Sequence, residues 1–395
     1  MTEKAIKVMK FGGTSVATPE SRQRVVEHIT RTSSDGWAPL VVVSAMGRRG
    51  SPYATDTLLD MIHEVGEPVD PRDEDLVFHV GEIISVSIMS HLLKISGLDA
   101  RGLTGGQARI YSDGHYRRGS ITRIDTSVMM SSIDQGIIPV IAGGQGVTED
   151  DGEINILGRG ASDTSAVAIA SAVGADTAEI FSDVPGIAIT DPRVIPEADL
   201  LAEVSYRRMY EMALFGARVI HPGAVLLGQS GVIPIAVKST FSFDPGTVIT
   251  NTENEPDLVG IPALGPVNLI LIPKGSLACV CDPKELYNRF AAVCIDDEES
   301  DRTIIGVDAK WYDGLQAMLD TSSVVSEEVL CDQSLVSVIG KKDYISSIAS
   351  RVKVLLSSSG IPVTYHEMTS LRHTFAVPHD KEAELIHLLY GEFAR

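Results

Sequence analysis

The chain has 395 residues, 44% of them hydrophobic, enough to bury a large core and to form two or three domains. Its 33 basic and 53 acidic residues leave a formal charge of −20, which repels nucleic acid and anionic membranes while leaving room for a local basic pocket that holds an anion. No apolar run approaches the roughly 18 residues of a membrane helix and the N-terminus lacks the apolar core of a signal peptide, so neither a membrane nor a nucleic-acid partner is expected and the location is read as cytoplasmic.

Up to about residue 250, strands and helices alternate. Strands are expected at Ala5–Met9, Pro39–Ser44, Asp99–Leu103, Ile137–Ala142, Ala178–Ser182 and Ile233–Val237. Helices are expected at Pro19–Thr30, Asp56–Glu64, Glu74–Ile95, Thr126–Gln135, Ser162–Val173 and Ser205–Phe215. Consecutive apolar positions such as Leu40-Val41-Val42-Val43 suit strands buried on both faces. The pattern predicts an α/β fold with a mostly parallel sheet sandwiched by helices, and ligands in such sheets bind at the carboxyl ends of the strands. Polar and glycine-rich clusters stand at those ends. Val147–Leu157 reads as a hairpin with a solvated acidic tip.

Periodicity lapses around Thr250–Pro256, which places a boundary between a domain at 1–253 and a region at 254–395. The latter reads as two small α+β units, about 258–332 and 333–395. The first carries strands Val267–Ile272, Thr303–Val307 and Val324–Leu330 with helices Lys284–Ala292 and Tyr312–Leu319. The second carries strands Leu335–Ile339, Pro362–Glu367 and His373–Val377 with helices Tyr344–Ser357 and Lys381–Phe393. The run Asp296–Asp301 is expected to be a solvated loop without metal-binding spacing. Cys279, Cys281, Cys294 and Cys331 lack a metal-ligand spacing and read as buried thiols.

Three stretches carry chemistry. Lys10-Phe11-Gly12-Gly13-Thr14-Ser15 sits between a strand and Thr18-Pro19-Glu20, where Thr18 can cap a helix. A glycine pair there lets backbone N–H groups approach an anion, with Lys10 and the hydroxyls adding charge and hydrogen bonds; the alternative is a plain turn. Neither the Walker nor the dinucleotide-binding glycine spacing is present. Leu157-Gly158-Arg159-Gly160-Ala161-Ser162-Asp163 brings an Arg fork, suited to a carboxylate, beside a helix start, although Ser162 or Asp163 alone reads equally as a cap. Ser182-Asp183-Val184-Pro185-Gly186 and Asp191-Pro192-Arg193 are individually ordinary turns. His221, before Pro222, reads as a helix cap or packing residue.

Taken in order with Val43-Ser44-Ala45-Met46-Gly47, Gly81-Glu82, Leu103-Thr104-Gly105 and Phe215-Gly216-Ala217-Arg218-Val219-Ile220-His221-Pro222, these motifs make the sequence resemble the aspartate kinases of the amino acid kinase family over residues 5–250. The resemblance implies phosphorylation of the L-aspartate side chain by ATP. The alternatives are a kinase of the same fold for another small amino-acid carboxylate, suggested by Gly144 and Asn155, and a catalytically weak regulatory or binding relative, suggested by Arg218. The attacking carboxylate is ionised at neutral pH, so charge neutralisation and in-line positioning replace a general base, with Mg²⁺ held mainly by the nucleotide phosphates. It also implies residue roles: Lys10 stabilises the transferring phosphoryl group, Gly12 and Gly13 cradle phosphate with Ser15 beside them, and Asp163 orients the positive groups. Arg159 clamps the aspartate α-carboxylate, Glu82 takes its ammonium, and Ser44, Thr55 and Ser162 supply hydroxyls. Ser182, Asp183, Ala188 and Arg193 stand on the nucleotide side, and Arg218 takes the place of a catalytic Lys that also meets the nucleotide.

For 254–395 the resemblance implies ACT-type regulatory units pairing into a homodimer. The chain departs from the family pattern at Arg218, at Ile154-Asn155-Ile156 in place of threonines, at Gly144 in place of a Phe, and at Ala188 in place of a larger side chain. The turns Cys281–Lys284 and Gly340–Asp343 lack the usual Gly and Pro signature, so weak, altered or absent lysine or threonine feedback is expected.

Overall fold

The computed structural model describes residues 5–158, 160–297 and 300–394, without the side chain of Cys279. It divides into two units: Met1–Ile187 with Val219–Thr252, and Ala188–Arg218 with Glu253–Arg395.

In chain order the first unit holds β1 (Ile6–Phe11), α1 (Gly13–Val16), α2 (Pro19–Ser34), β2 (Ala38–Val43), α3 (Thr55–His63), α4 (Pro71–Ile95), β3 (Ala100–Leu103), β4 (Ile110–Ser112) and β5 (Ile121–Ile124). It continues with α5 (Ser127–Asp134), β6 (Ile138–Ala142), β7 (Gln145–Val147), β8 (Ile154–Ile156), α6 (Ala161–Val173) and β9 (Thr177–Ser182). After β10 (Glu203–Ser205) and α7 (Tyr206–Leu214), which belong to the second unit, it resumes with α8 (Pro222–Gly231), β11 (Ile235–Ser239) and β12 (Thr247–Thr250).

Its main sheet runs β12-β11-β9-β1-β2-β6-β3, parallel throughout except for β12. Strand β2 is buried along its whole length, as its apolar run requires. β1 extends two residues beyond the expected end because Lys10 and Phe11 pair with Val42 and Val43 on one side and Ile180 and Phe181 on the other. Lys10 therefore stands on a strand. Thr18 and Ser21 form a reciprocal capping box for α2 with Pro19 in its first turn. Phe11 and Phe181 stack at 4.6 Å in a core shared with Met9, Val41, Val43, Met89 and Leu93; fully burying each such ring is worth about 1.5–3 kcal/mol.

The 25-residue α4 corrects one expectation: by length and composition it is apolar enough to cross a membrane. Its Val86, Met89 and Leu93 instead fill the core, and Asp75, His79 and Glu82 are buried along it. The expected hairpin forms between β7 and β8, with Val147 opposite Ile154, inside a small sheet ordered β5-β4-β7-β8. Its acidic end is not simply solvated, since Glu153 accepts Arg72 Nε at 2.7 Å.

The second unit continues with β13 (Leu258–Gly260), β14 (Ala263–Pro273), α9 (Pro283–Phe290), β15 (Val293–Asp296), β16 (Arg302–Val307), α10 (Ala309–Thr321) and β17 (Glu328–Gly340). It ends with α11 (Lys342–Ser359), β18 (Tyr365–Met368), β19 (Arg372–Pro378) and α12 (Glu382–Phe393). An antiparallel sheet, β15-β16-β14-β17-β19-β18, joins both halves of this region. The two strands expected at 324–330 and 335–339 are one 13-residue strand, β17, which pairs with β14 on one side and β19 on the other. On one face Ile270, Ile272, Ile305 and Val307 pack beneath Leu286 and Phe290 of α9 and Leu315 and Leu319 of α10. On the other, Leu269, Leu271 and Ile304 pack with Phe215.

A single cut near 253 does not describe this division, because residues 188–218 are tied to the C-terminal region. Thr190 Oγ1 donates to Ile261 O at 2.8 Å, Ser205 N–H donates to Glu255 Oε2 at 2.7 Å, and Arg372 Nη1 meets Glu211 Oε2 at 3.0 Å. Glu255, in the stretch read as a polar linker, is buried for this reason. The acidic run 296–301 is likewise only partly a solvated loop: Asp296 ends β15, and Asp297 is buried and accepts the His366 N–H at 3.3 Å. Glu298 and Glu299 lie outside the described residues. Among the cysteines Cys281 is buried, Cys294 is half-buried and Cys331 is exposed, so Cys331 departs from expectation.

Candidate active site

The carboxyl ends of β1, β2, β6 and β9 converge on the Gly12–Gly13 turn. Gly12 N–H donates to Phe181 O at 3.2 Å, Ser44 N–H to Phe11 O at 3.1 Å, and Gly143 N–H to Val43 O at 2.9 Å. Gly47 N–H donates to Gly13 O at 2.9 Å, and a Cβ on Gly13 would stand 2.6 Å from Gly47 O. Only glycine lets the two turns close on each other.

Lys10, nearly buried at the end of β1, places Nζ 2.6 Å from Asp163 Oδ1 in the first turn of α6. Asp163 Oδ2 accepts the His221 N–H at 3.2 Å. His221 caps α8, its Nδ1 accepting the Gly223 N–H at 3.2 Å, which is the structural part read for it. Gly160, in the left-handed region at φ 60°, packs against the His221 ring with no room for a Cβ. Beside this pair Ser44 Oγ donates to Ser162 Oγ at 3.0 Å.

Glu82 lies buried on α4, where Oε1 accepts the Ala45 N–H at 3.3 Å and the Thr55 hydroxyl at 3.5 Å. Its Oε2 has no hydrogen-bond partner among the described residues. Burial pushes its pKa up from 4.5 to about 7, against the opposing pull of backbone and Thr55 hydrogen bonds. A desolvated carboxylate with a spare oxygen suits an incoming ammonium.

Some expected site residues stand elsewhere. The Ser15 hydroxyl is fully buried and engaged with Thr240 Oγ1 at 2.6 Å, so Ser15 holds the turn rather than offering an oxygen to a phosphate. Ser182 Oγ donates to Asp183 Oδ1 at 3.1 Å just past β9. Ala188, Arg193 and Arg218 belong to the second unit; Arg193 is exposed and paired with Asp191 at 2.5 Å, and Arg218 is exposed. Arg159 lies outside the described residues. Sequence reading missed Arg48, which meets Asp183 Oδ2 at 2.7 Å, and Asp75, which anchors β8 through the Ile156 N–H at 2.9 Å. Each pairs with a residue far along the chain, and no local signal marks it.

A parallel α/β sheet with a glycine turn, a buried Lys–Asp pair and a helix start gathered at the carboxyl ends of its strands is an arrangement suited to holding an anion. The profile of the Amino acid kinase family matches residues 5–239, and the chain belongs to that family.

Aspartokinase 1 of Bacillus subtilis is 40% identical over 246 residues, 62% of this chain and 61% of that protein. An aspartokinase of Mycolicibacterium smegmatis is 40% identical over 62% of this chain and 57% of its own length. The chain thus spans less than two thirds of the length of the curated relatives it matches. Among solved structures, Escherichia coli aspartokinase III in complex with aspartate and ADP superposes with a TM-score of 0.79 at 22% identity, covering 99% of this chain and all of that one. The aspartate kinase of Synechocystis superposes at 0.56 with 28% identity over 99% of this chain and 70% of that one.

Proposed function

We propose that the protein is an ATP-dependent aspartate 4-kinase. The observation that carries this reading is Glu82: a buried carboxyl with one unpartnered oxygen, close to the turn that holds Ser44, in a chain 40% identical to an aspartokinase over 246 residues. Glu82 takes the substrate ammonium and Arg159 its α-carboxylate, with Ser44, Thr55 and Ser162 around the side chain. An oxygen of the side-chain carboxylate forms a bond to the γ-phosphorus of ATP while the bond to the β–γ bridging oxygen breaks and ADP leaves. Lys10, oriented by Asp163, neutralises charge on the transferring group, and the Gly12–Gly13 backbone holds the phosphates against the sheet edge.

Asp163 is already paired with Lys10, which fits Mg²⁺ carried by phosphate oxygens. When bound, it would neutralise part of the phosphate charge. Ser182 and Asp183 serve the nucleotide side. The second unit supplies two ACT-like units, through which the protein forms a homodimer with weak, altered or absent response to lysine and threonine. Its location is cytoplasmic.

A second reading, phosphorylation of another small amino-acid carboxylate, is suggested, with Asn155, by Gly144. At φ 78° it has no side chain, and a Cβ there would stand 3.1 Å from the Ala161 Cβ, so this wall of the site is shaped by Ala161.

Hydroxylamine trapping of the acyl phosphate with MgATP and a panel of amino acids tests both. L-Aspartate alone is expected to give hydroxamate, Lys10→Ala is expected to abolish it, and millimolar lysine or threonine to change the rate by less than about tenfold. Hydroxamate with another acid but not aspartate would move the conclusion to the second reading.

A further inference from the structure

Arg48 extends from a turn that is locked to the glycine turn. Gly47 N–H donates to Gly13 O, and from the next residue Arg48 Nη2 reaches Asp183 Oδ2 at 2.7 Å. Asp183 stands just past β9, two residues after Phe181, whose carbonyl accepts the Gly12 N–H. The guanidinium thus spans from the end of β2 to the end of β9, with the glycine turn of β1 between them. Its neighbour Arg49 points to α3, where Nη1 meets both Asp60 oxygens at 2.5–2.6 Å.

We infer that Arg48 is a phosphate-binding residue for the nucleotide, leaving Asp183 for the terminal phosphates when MgATP binds. This rests on the reading of the site as one that uses ATP. The Arg48 side chain is 73% exposed and meets Asp183 through one guanidinium nitrogen. An exposed pair of this kind contributes little to stability, so exchanging it costs little. Phosphate oxygens offer the fork a bidentate, more highly charged partner. Lys10 is different in kind: buried and fixed by Asp163, it is a charge preset beneath the turn, whereas Arg48 is a charge that arrives over it.

Calorimetric titration of the full chain with MgATP, ADP and adenosine tests this in wild type, Arg48→Ala, Arg48→Lys and, as control, Arg49→Ala. Arg48→Ala is expected to weaken MgATP and ADP about tenfold, adenosine hardly at all, with partial recovery in Arg48→Lys and no change in Arg49→Ala. In steady state the loss should fall on KM for ATP, not on KM for the phosphate acceptor. Unchanged MgATP affinity in Arg48→Ala, or equal loss for adenosine, would leave Arg48 a surface pair and overturn the inference. Wild type that binds MgATP yet makes no hydroxamate from aspartate would sink the aspartate reading while leaving the Arg48 comparison valid. Wild type that binds no nucleotide would overturn both.

Discussion

Glu82 is where burial and chemistry are most tightly joined. Its pKa is raised in the folded protein, and that fixes the sign of its effect on stability. Below 4.5 the carboxyl is protonated in folded and unfolded chains alike and its titration contributes nothing to stability. Between 4.5 and about 7 the unfolded chain ionises first and stability falls with rising pH; above about 7 the loss is complete. A shift of this size corresponds to roughly 3 kcal/mol. Glu82→Gln removes the titration, so urea unfolding should show the variant gaining on wild type between pH 5 and pH 8. An equal difference at both pH values would return Glu82 to the ordinary carboxylate range. An ammonium beside Glu82 favours the ionised form, so aspartate affinity should weaken as pH falls below about 7. Glu82→Gln should flatten that dependence.

Helix α4 carries one residue of the site and also anchors the chain that leads to another. Seven residues before Glu82, Asp75 is fully buried; it accepts the Arg117 N–H at 2.9 and 3.1 Å and the Ile156 N–H at 2.9 Å. Ile156 ends β8, and Leu157 and Gly158 lead from it toward α6 and Asp163. Asp75→Asn turns one acceptor into a donor facing an N–H, a loss of about 1–3 kcal/mol. Stability should drop accordingly, and KM for aspartate should rise about fivefold or more, roughly 1 kcal/mol, with KM for ATP nearly unchanged. A fall in stability with both KM values intact would make Asp75 purely structural. Asp75 and Ile156 are 81 positions apart, and Ser15 and Thr240 are 225 apart. Such pairs leave no mark in a local pattern, which is why Ser15 reads as a phosphate ligand from its neighbours alone. What local pattern does carry is the alternation of elements: the apolar run of β2, the Thr18 cap and the hairpin at 147–157 were all legible. Glu82 was legible only through motif order, since a lone Gly-Glu on a helix carries no chemistry by itself.

For the whole molecule, the informative feature is that the chain passes between the two units more than once. Composition showed a break near residue 253 because polarity rises there, but it could not show that 188–218 folds with the C-terminal region. That assignment rests on contacts made by single side chains. Arg372 is nearly buried between Glu211 and Glu367, and its guanidinium lies 4.3 Å from the Phe215 ring centroid. Arg208 Nε donates to Gly340 O at 3.0 Å and its guanidinium pairs with buried Glu255. Removing one partner of a buried ion pair typically costs about 3–5 kcal/mol because the remaining charge loses its compensation. A chain cut after residue 253 would strip these partners from 188–218 all at once, exposing the buried Phe215 and Met212 together with the unpaired Arg208 and Glu211. The expected outcome is that residues 1–253 alone do not yield a cooperative fold, checked by near-ultraviolet circular dichroism and thermal unfolding, whereas Arg372→Ala in the full chain folds with reduced stability. A truncated protein that melts cooperatively with native near-ultraviolet signal would show that 188–218 can fold without the C-terminal sheet, and the polar break at 250–256 would then mark a true domain boundary.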